Sequence, residues 1–156
     1  MTSCDISKLR FCDTVTCNDL QVARERVVNP ILREAEDKGF CGQDQFAIRL
    51  GLEEAISNAW RHGNRCDPNK RIHVRWAVTD QVAVICVADE GGGFDPSCLP
   101  DPRAKENREK PSGRGVMLMR AFLTELRYND HGNEVCLIKA KKPAHAADIR
   151  NTDANA

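Results

Sequence analysis

Apolar residues recur every three or four positions in three parts of the chain, which is the period of an α-helix that buries one face. The first part covers residues 20–39, where we expect Pro30 to kink or split the helix because proline has no amide hydrogen. The second part covers residues 42–63 and places Phe46 among the residues that face the core. The third part begins at Gly115. The pattern therefore predicts three main helices.

Five shorter stretches have the two-residue alternation or the continuous apolar character of β-strands. In chain order they lie at residues 9–15, 72–78, 82–87, 125–128 and 134–140. Short turns separate the second strand from the third and the fourth from the fifth, so we expect two hairpins. Together with the helices, these strands predict an α+β two-layer sandwich. Its mixed, mostly antiparallel sheet would carry the three helices on one face.

The length and composition of the chain favour a single domain. The 156 residues are 41% apolar and 29% charged, which is ordinary for a globular protein. We expect the domain to cover residues 8–141 and the polar, alanine-rich residues 142–156 to form a disordered tail. The 23 basic and 23 acidic residues cancel, which gives no support for direct binding to nucleic acid. The chain shows no signal peptide and no membrane-spanning run, so we expect a cytoplasmic protein with no membrane partner.

The chain contains eight cysteines, and no two of them form a Cys-x-x-Cys pair of the kind found in zinc ribbons and thioredoxins. Cys86 and Cys136 lie inside apolar strand-like runs, and we interpret them as small apolar side chains. Because no secretion signal is present, we expect the cysteines to be free thiols in a reducing cytosol.

One side of the second predicted helix carries polar groups suited to phosphate chemistry. Glu54, Asn58 and His62 recur every four residues and therefore share a helical face. An asparagine oxygen is a suitable ligand for Mg²⁺, and a carboxylate one turn away can deprotonate a hydroxyl or a water. Arg61 could reach a phosphate oxygen. A solvated polar face is the alternative, but asparagine is a poor residue for a helix interior, which favours the functional interpretation.

The third predicted strand ends at Asp89 and is followed at once by glycines. A carboxylate at this position can accept a hydrogen bond from an exocyclic amino group such as that of adenine. Gly91 and Gly93 lack side chains, so a flat ring can approach the backbone there. An ordinary glycine-rich turn is the alternative interpretation of this segment alone.

A second glycine pair, Gly113 and Gly115, flanks Arg114 at the start of the third predicted helix. Backbone amides and the helix dipole favour phosphate at such a position, although a flexible hinge would have the same composition. Residues 94–111, which precede the pair, contain four of the seven prolines and few apolar residues. A long loop of this kind inside a compact domain is typical of a lid.

These segments, in this order, resemble the ATP-binding domain of the anti-sigma factor serine kinases. That family belongs to the GHKL superfamily of histidine kinase-like ATPases, which share the Bergerat ATP-binding fold. The resemblance covers roughly residues 8–141. It is carried by Glu54-Ala-Ile-Ser-Asn58-Ala-Trp-Arg61-His62-Gly63, Asp89-Glu-Gly91-Gly-Gly93-Phe94-Asp95-Pro96 and Gly113-Arg114-Gly115-Val-Met-Leu118-Met119.

The resemblance implies a role for each residue of the site. Asn58 would hold Mg²⁺ and Glu54 would be the catalytic base. Asp89 would bind the adenine amino group, with Gly91 and Gly93 shaping the wall beside it. The family often has a larger residue between these two glycines, so the triple glycine of this chain is a departure.

The other implied residues belong to the phosphate end of the site. Gly113, Arg114 and Gly115 would lie at the base of the lid against the phosphates, and Arg61 and His62 would complete the nucleotide-binding set. The implied cofactors are ATP and Mg²⁺.

The resemblance also implies an activity and partners. The chain would be an ATP-dependent protein-serine kinase that phosphorylates a small antagonist protein and sequesters a sigma factor in a partner switch. A homodimer is compatible with the resemblance, because members of this family often dimerise. Two alternatives stay open at this point: a non-catalytic ATP-binding switch and an orphan catalytic domain of a histidine kinase.

Overall fold

In the computed structural model, which describes residues 13–17, 19–93 and 114–143, five strands form one open sheet. The strands are β1 (Asp13–Cys17), β2 (Ile72–Val78), β3 (Val82–Ala88), β4 (Glu125–Tyr128) and β5 (Glu134–Ala140). Their order in the sheet is β1-β2-β3-β5-β4, and each of the four pairings is antiparallel rather than mixed. The predicted α+β class and both predicted hairpins are confirmed.

The helices are α1 (Leu20–Ala23), the π-helical turn π1 (Arg24–Val28), α2 (Asn29–Asp37), α3 (Gly42–Asn58), the π-helical turn π2 (Ala59–Gly63) and α4 (Arg114–Phe122). The first predicted helix is thus divided by π1. Pro30 is the second residue of α2, which directly follows π1. The backbone stays helical through Val28 and Asn29, so the π-helical turn lies where proline cannot donate to a carbonyl of the preceding turn.

One face of the sheet packs against the helices and forms the main core. Helix α3 lies against β3 and β5 and also contacts α2 and α4. The most deeply buried side chains of this layer are Val27, Val28, Ile31, Ile48, Leu52, Ile72, Val74, Ile85, Met119 and Leu137. The packing fixes the rotation of α3 on the sheet, and this rotation decides which of its polar residues reach the cavity described below.

Phe46 does not face this core, contrary to the prediction. Its side chain is 54% exposed, and it packs edge-to-face on Phe122 of α4 with ring centroids 5.7 Å apart. Asp44 and Ile48 are fully buried in this part of α3. Each lies two residues from Phe46 and therefore on the other side of the helix. The buried carboxylate of Asp44 accepts a hydrogen bond from the Lys142 amide at 3.0 Å. The sequence pattern did not predict this burial, because it assigns buried positions by hydrophobicity alone.

The prediction of free thiols is wrong for Cys86 and Cys136, which form a disulfide between β3 and β5. The two residues are directly paired in the strand register, with their Cα atoms 4.0 Å apart. Sequence alone gives no inter-strand register, so this pairing was not foreseeable. Among the described residues, Cys17, Cys41 and Cys66 are free thiols.

Several predicted features lie outside the described residues. They include the start of the first predicted strand, the predicted lid at residues 94–111, Gly113 and all but two residues of the predicted tail. Within the described ranges, no helix combines the length and the apolar character needed to cross a membrane.

Candidate functional site

A cavity of about 890 Å³ opens between helix α3 with its extension π2, the end of β3, the β4–β5 turn and the start of α4. This volume falls within the range of roughly 300–1,000 Å³ that is usual for small-molecule sites. The predicted site residues that line it are Glu54, Asn58, Arg61, His62, Asp89, Gly93 and Gly115. Three segments that are distant in the sequence therefore meet at one place.

Helix α3 and π2 bring the predicted polar stripe to one wall of the cavity. Glu54 and Asn58 are half-buried there, whereas Arg61 and His62 on π2 are exposed. The Glu54 carboxylate lies against the first turn of α4, because a β-carbon built on Gly115 would be 2.3 Å from its Oε2 atom. A larger residue than glycine at position 115 would therefore displace the Glu54 carboxylate.

Asp89 follows β3 and is held at the cavity wall by two backbone contacts. Its amide donates to the Asn133 carbonyl at 2.9 Å, and its Oδ1 accepts a hydrogen bond from the Gly91 amide at 2.8 Å. Its other oxygen, Oδ2, has no hydrogen-bond partner among the described residues. A half-satisfied carboxylate at a cavity wall is suited to accepting a hydrogen bond from an amino group of a ligand.

Burial raises the pKa of the Asp89 carboxyl above its ordinary value. The hydrogen bond from Gly91 and the positive charge of Lys70 act in the opposite direction and offset part of this rise. The carboxylate thus carries a desolvation cost in the free protein, which a hydrogen bond from a ligand would partly offset.

Two glycines beside Asp89 allow the chain segments to approach more closely than any side chain would permit. A β-carbon on Gly63 would lie 2.2 Å from Asp89 Oδ2, and one on Gly91 would lie 2.0 Å from the Gly63 carbonyl oxygen. Gly91 does not line the cavity itself, but its contacts fix the position of the Asp89 carboxylate. The end of π2 and the segment that follows β3 are therefore in direct backbone contact beside the carboxylate.

The remaining two glycines of this segment differ from each other. Gly93 has a φ of 75°, and a β-carbon there would lie 1.9 Å from the His131 carbonyl oxygen. A β-carbon on Gly92, in contrast, would have no atom within 4 Å. The structure thus requires glycine at Gly91 and Gly93 but not between them, so the unusual triple glycine leaves the site intact.

Three cationic residues that the sequence interpretation missed also line the cavity: Arg65, Lys70 and Arg120. Together with Arg61 they give the described lining of the cavity four positive side chains, which suits a polyphosphate ligand. Arg65 and Lys70 belong to the irregular loop before β2, and Arg120 belongs to α4. Loop residues have no periodicity from which their direction could be inferred. Arg120, in contrast, follows the cavity-lining Val116 by four residues on α4, so the helical period could have indicated it.

The described part of Arg114 is its backbone at the start of α4, and Gly113 is outside the described residues. Their placement at the phosphate end therefore stays a prediction. Asn58 lines the cavity, and its role as a Mg²⁺ ligand likewise stays a prediction.

A family model for the histidine kinase-like ATPase domain matches residues 19–139. The serine-protein kinase RsbW of Bacillus subtilis is 26% identical over 131 residues, which cover 78% of this chain and 82% of that protein. The serine/threonine-protein kinase BtrW of Bordetella bronchiseptica is 29% identical over 103 residues, which cover 64% of this chain and 72% of that protein. The anti-sigma F factor of Shouchella clausii is 32% identical over 84 residues, which cover 51% of this chain and 56% of that protein.

A solved structure shares the fold. The crystal structure of RsbU and RsbW domains from Mycobacterium tuberculosis superimposes with a TM-score of 0.52 at 21% sequence identity. The superposition covers 85% of this chain but only 34% of that larger chain. It supports the layering of an antiparallel sheet with helices on one face.

Proposed function

We propose that this chain, which belongs to the histidine kinase-like ATPase domain family, is an ATP-dependent protein-serine kinase that also acts as an anti-sigma factor. The observation that carries the proposal is the cavity that brings Asp89 together with Glu54 and Asn58. Relatives whose names state serine-protein kinase or anti-sigma F factor support the same conclusion. Their sequence identities of 26% and 32% support the class of activity and not a particular protein substrate.

The residues of the cavity fit ATP at both ends. Asp89 offers the unpartnered Oδ2 atom to the 6-amino group of adenine, beside a wall that contains two exposed glycines, Gly92 and Gly93. Arg61 and Lys70 are among the cations that would neutralise phosphate oxygens. When bound, Mg²⁺ would supply further neutralisation of the phosphates, with the Asn58 amide oxygen as its protein ligand.

The proposed chemistry is transfer of the γ-phosphoryl group of ATP to a serine hydroxyl of a partner protein. The Glu54 carboxylate accepts the hydroxyl proton as the serine oxygen forms its bond to phosphorus and the bond to the ADP oxygen breaks. The cationic side chains stabilise the negative charge of the phosphate oxygens, which is the main requirement of phosphoryl transfer. Gly115 keeps the backbone of α4 close to Glu54 without displacing the carboxylate.

The partners of such a kinase would be a small antagonist protein, which receives the phosphate, and a sigma factor, which the kinase sequesters. Phosphorylation of the antagonist would release it from the kinase and leave the kinase free to bind the sigma factor. We propose these two partners by similarity to the named relatives, and a homodimer from the resemblance of the sequence to a family whose members often dimerise.

The test is incubation with ATP labelled at the γ-phosphate and the antagonist-like protein encoded nearest to the gene. We expect label on the antagonist with the wild-type kinase and none with an antagonist whose acceptor serine is replaced by alanine. Glu54→Gln should retain ATP binding and lose the transfer. A wild-type protein that binds ATP and a sigma factor but labels no antagonist would instead identify a non-catalytic switch. A folded wild-type protein that does not bind ATP would refute the proposal altogether.

A further inference from the structure

Asn64, which directly follows π2, is a fully buried polar residue behind the wall of the cavity. Its side chain connects two backbone segments that are far apart in the sequence. The Nδ2 group donates to the Arg71 carbonyl at 3.0 Å, and Oδ1 accepts a hydrogen bond from the Glu90 amide at 2.8 Å. Asn64 does not line the cavity, so it has no place in the chemistry described above.

Both partners of this side chain are backbone groups, so the orientation of the amide is determined by their chemistry. A carbonyl can only accept and an amide N–H can only donate, and a carboxamide is the side-chain group that satisfies one of each. The main chain of Asn64 adds two bonds: its amide donates to the Ala59 carbonyl at 2.8 Å, and its carbonyl accepts from the Asp67 amide at 3.0 Å. Asn64 is therefore the junction of π2, the loop before β2 and the end of β3.

The loop that Asn64 holds has an unusual backbone. Arg65 and Cys66 have φ angles of 51° and 56°, in the left-handed region that non-glycine residues rarely adopt. Such conformations persist where surrounding contacts impose them. Here the contacts include the bonds from Asn64 and the bond from the Cys66 amide to the Trp60 carbonyl at 2.8 Å. Arg65 and Lys70 of this loop line the cavity, so the loop geometry also sets the positions of two cationic side chains there.

We infer that Asn64 is a positioning residue that makes the site selective for a 6-aminopurine nucleotide. Asn64 holds the amide of Glu90, and Asp89 is the preceding residue in the same short segment. That segment is fixed on its other side by the bond from the Asp89 amide to Asn133. Asn64 thereby determines where the Asp89 carboxylate stands relative to π2. The inference rests on the proposed function, because it assigns Asp89 to the base of the nucleotide.

The test compares the affinities for ATP and inosine triphosphate, which carries an oxygen in place of the 6-amino group. Calorimetry on the wild-type chain of 156 residues should show a preference for ATP of about tenfold or more, as expected for a hydrogen bond to a charged group. Asn64→Ala should reduce this preference at least fivefold, mainly by lowering the affinity for ATP. Asn64→Asp keeps an acceptor for the Glu90 amide but turns its second oxygen toward the Arg71 carbonyl, so it should lower the melting temperature while retaining more of the preference for ATP than Asn64→Ala does. Asn64→Ser replaces the alanine variant if that variant does not fold.

The matched control is Thr79→Ala in the β2–β3 turn, at the end of these strands away from the cavity. The Thr79 hydroxyl also holds backbone groups, accepting from the Gln81 and Val82 amides. Thr79→Ala should lower the melting temperature and leave the preference for ATP unchanged. A folded Asn64→Ala or Asn64→Ser variant that melts earlier but keeps the wild-type preference would overturn the inference. So would a wild type that binds ATP and inosine triphosphate equally. A wild type that binds neither nucleotide would refute the proposed function instead.

Discussion

The contact between Gly91 and the end of π2 allows a quantitative prediction. A β-carbon at this position would lie 2.0 Å from the Gly63 carbonyl oxygen, 2.7 Å from its carbonyl carbon and 2.8 Å from Asp89 Oδ1. Nonbonded carbon atoms are most stable at roughly 3.5–4.0 Å, so Gly91→Ala must separate the two segments by more than about 1 Å. The obstructing atoms belong mainly to the backbone, so no side-chain rotation can relieve the clash.

This displacement acts on the Asp89 carboxylate, which accepts its hydrogen bond from the Gly91 amide. A hydrogen bond to a charged group contributes about 1.5–3 kcal/mol. If the separation removes the equivalent of one such bond to the adenine amino group, the Kd for ATP rises roughly ten- to 150-fold, since about 1.4 kcal/mol corresponds to a factor of ten.

The assay is titration calorimetry with ATP, together with thermal unfolding to establish that each variant is folded. Gly42→Ala at the start of α3 is the matched control, because a β-carbon there would also have no atom within 4 Å and Gly42 does not line the cavity. We expect Gly42→Ala to bind ATP within about twofold of the wild type, the range of small surface effects. Equal ATP affinity of folded Gly91→Ala and Gly42→Ala would refute the argument that Gly91 fixes the position of Asp89.

Three further predictions concern the same cavity. Glu54→Gln should leave ATP affinity nearly unchanged and slow phosphate transfer about 10²- to 10⁴-fold, measured with labelled ATP; transfer at the wild-type rate would exclude Glu54 as the base. Asn58→Ala should abolish the dependence of ATP affinity on Mg²⁺ concentration in calorimetry, and an unchanged dependence would remove Asn58 as the ligand. Burial raises the pKa of the Asp89 carboxyl in the folded protein, so binding of its proton stabilises the fold. This stabilisation is fully present below the ordinary carboxyl pKa and is lost as pH rises through the raised value. Urea unfolding should therefore show that Asp89→Asn gains stability over the wild type as pH rises across this window, and identical pH profiles would contradict the assignment.

The sequence was sufficient for the parts of the fold that depend on local periodicity. The four-residue spacing of Glu54 and Asn58 placed both on one wall of the cavity, and the apolar runs located β2, β3 and β5. The order of three short motifs was sufficient to relate the chain to its family. These signals come from residues that are close together in the sequence, so they can be interpreted without knowledge of tertiary contacts.

The features that were missed depend on contacts between distant segments. The Cys86–Cys136 bond requires a strand register, and the burial of Asp44 requires the backbone of Lys142. The role of Asn64 lies in two backbone partners that the fold brings together, and nothing in the local sequence distinguishes it from an ordinary turn residue.

The disulfide between β3 and β5 closes a covalent loop whose ends are 50 residues apart. In the chain-entropy account, a loop of this length reduces the freedom of the unfolded chain by the equivalent of roughly 4 kcal/mol at 25 °C. Helix α4 and strand β4 lie entirely inside the loop, whereas β3 and β5 are joined covalently by the disulfide. Local opening of α4 can therefore proceed while β3 and β5 stay in register. Amide exchange in α4 should then be separable from exchange in β3, and reduction of the disulfide should bring the two rates closer together.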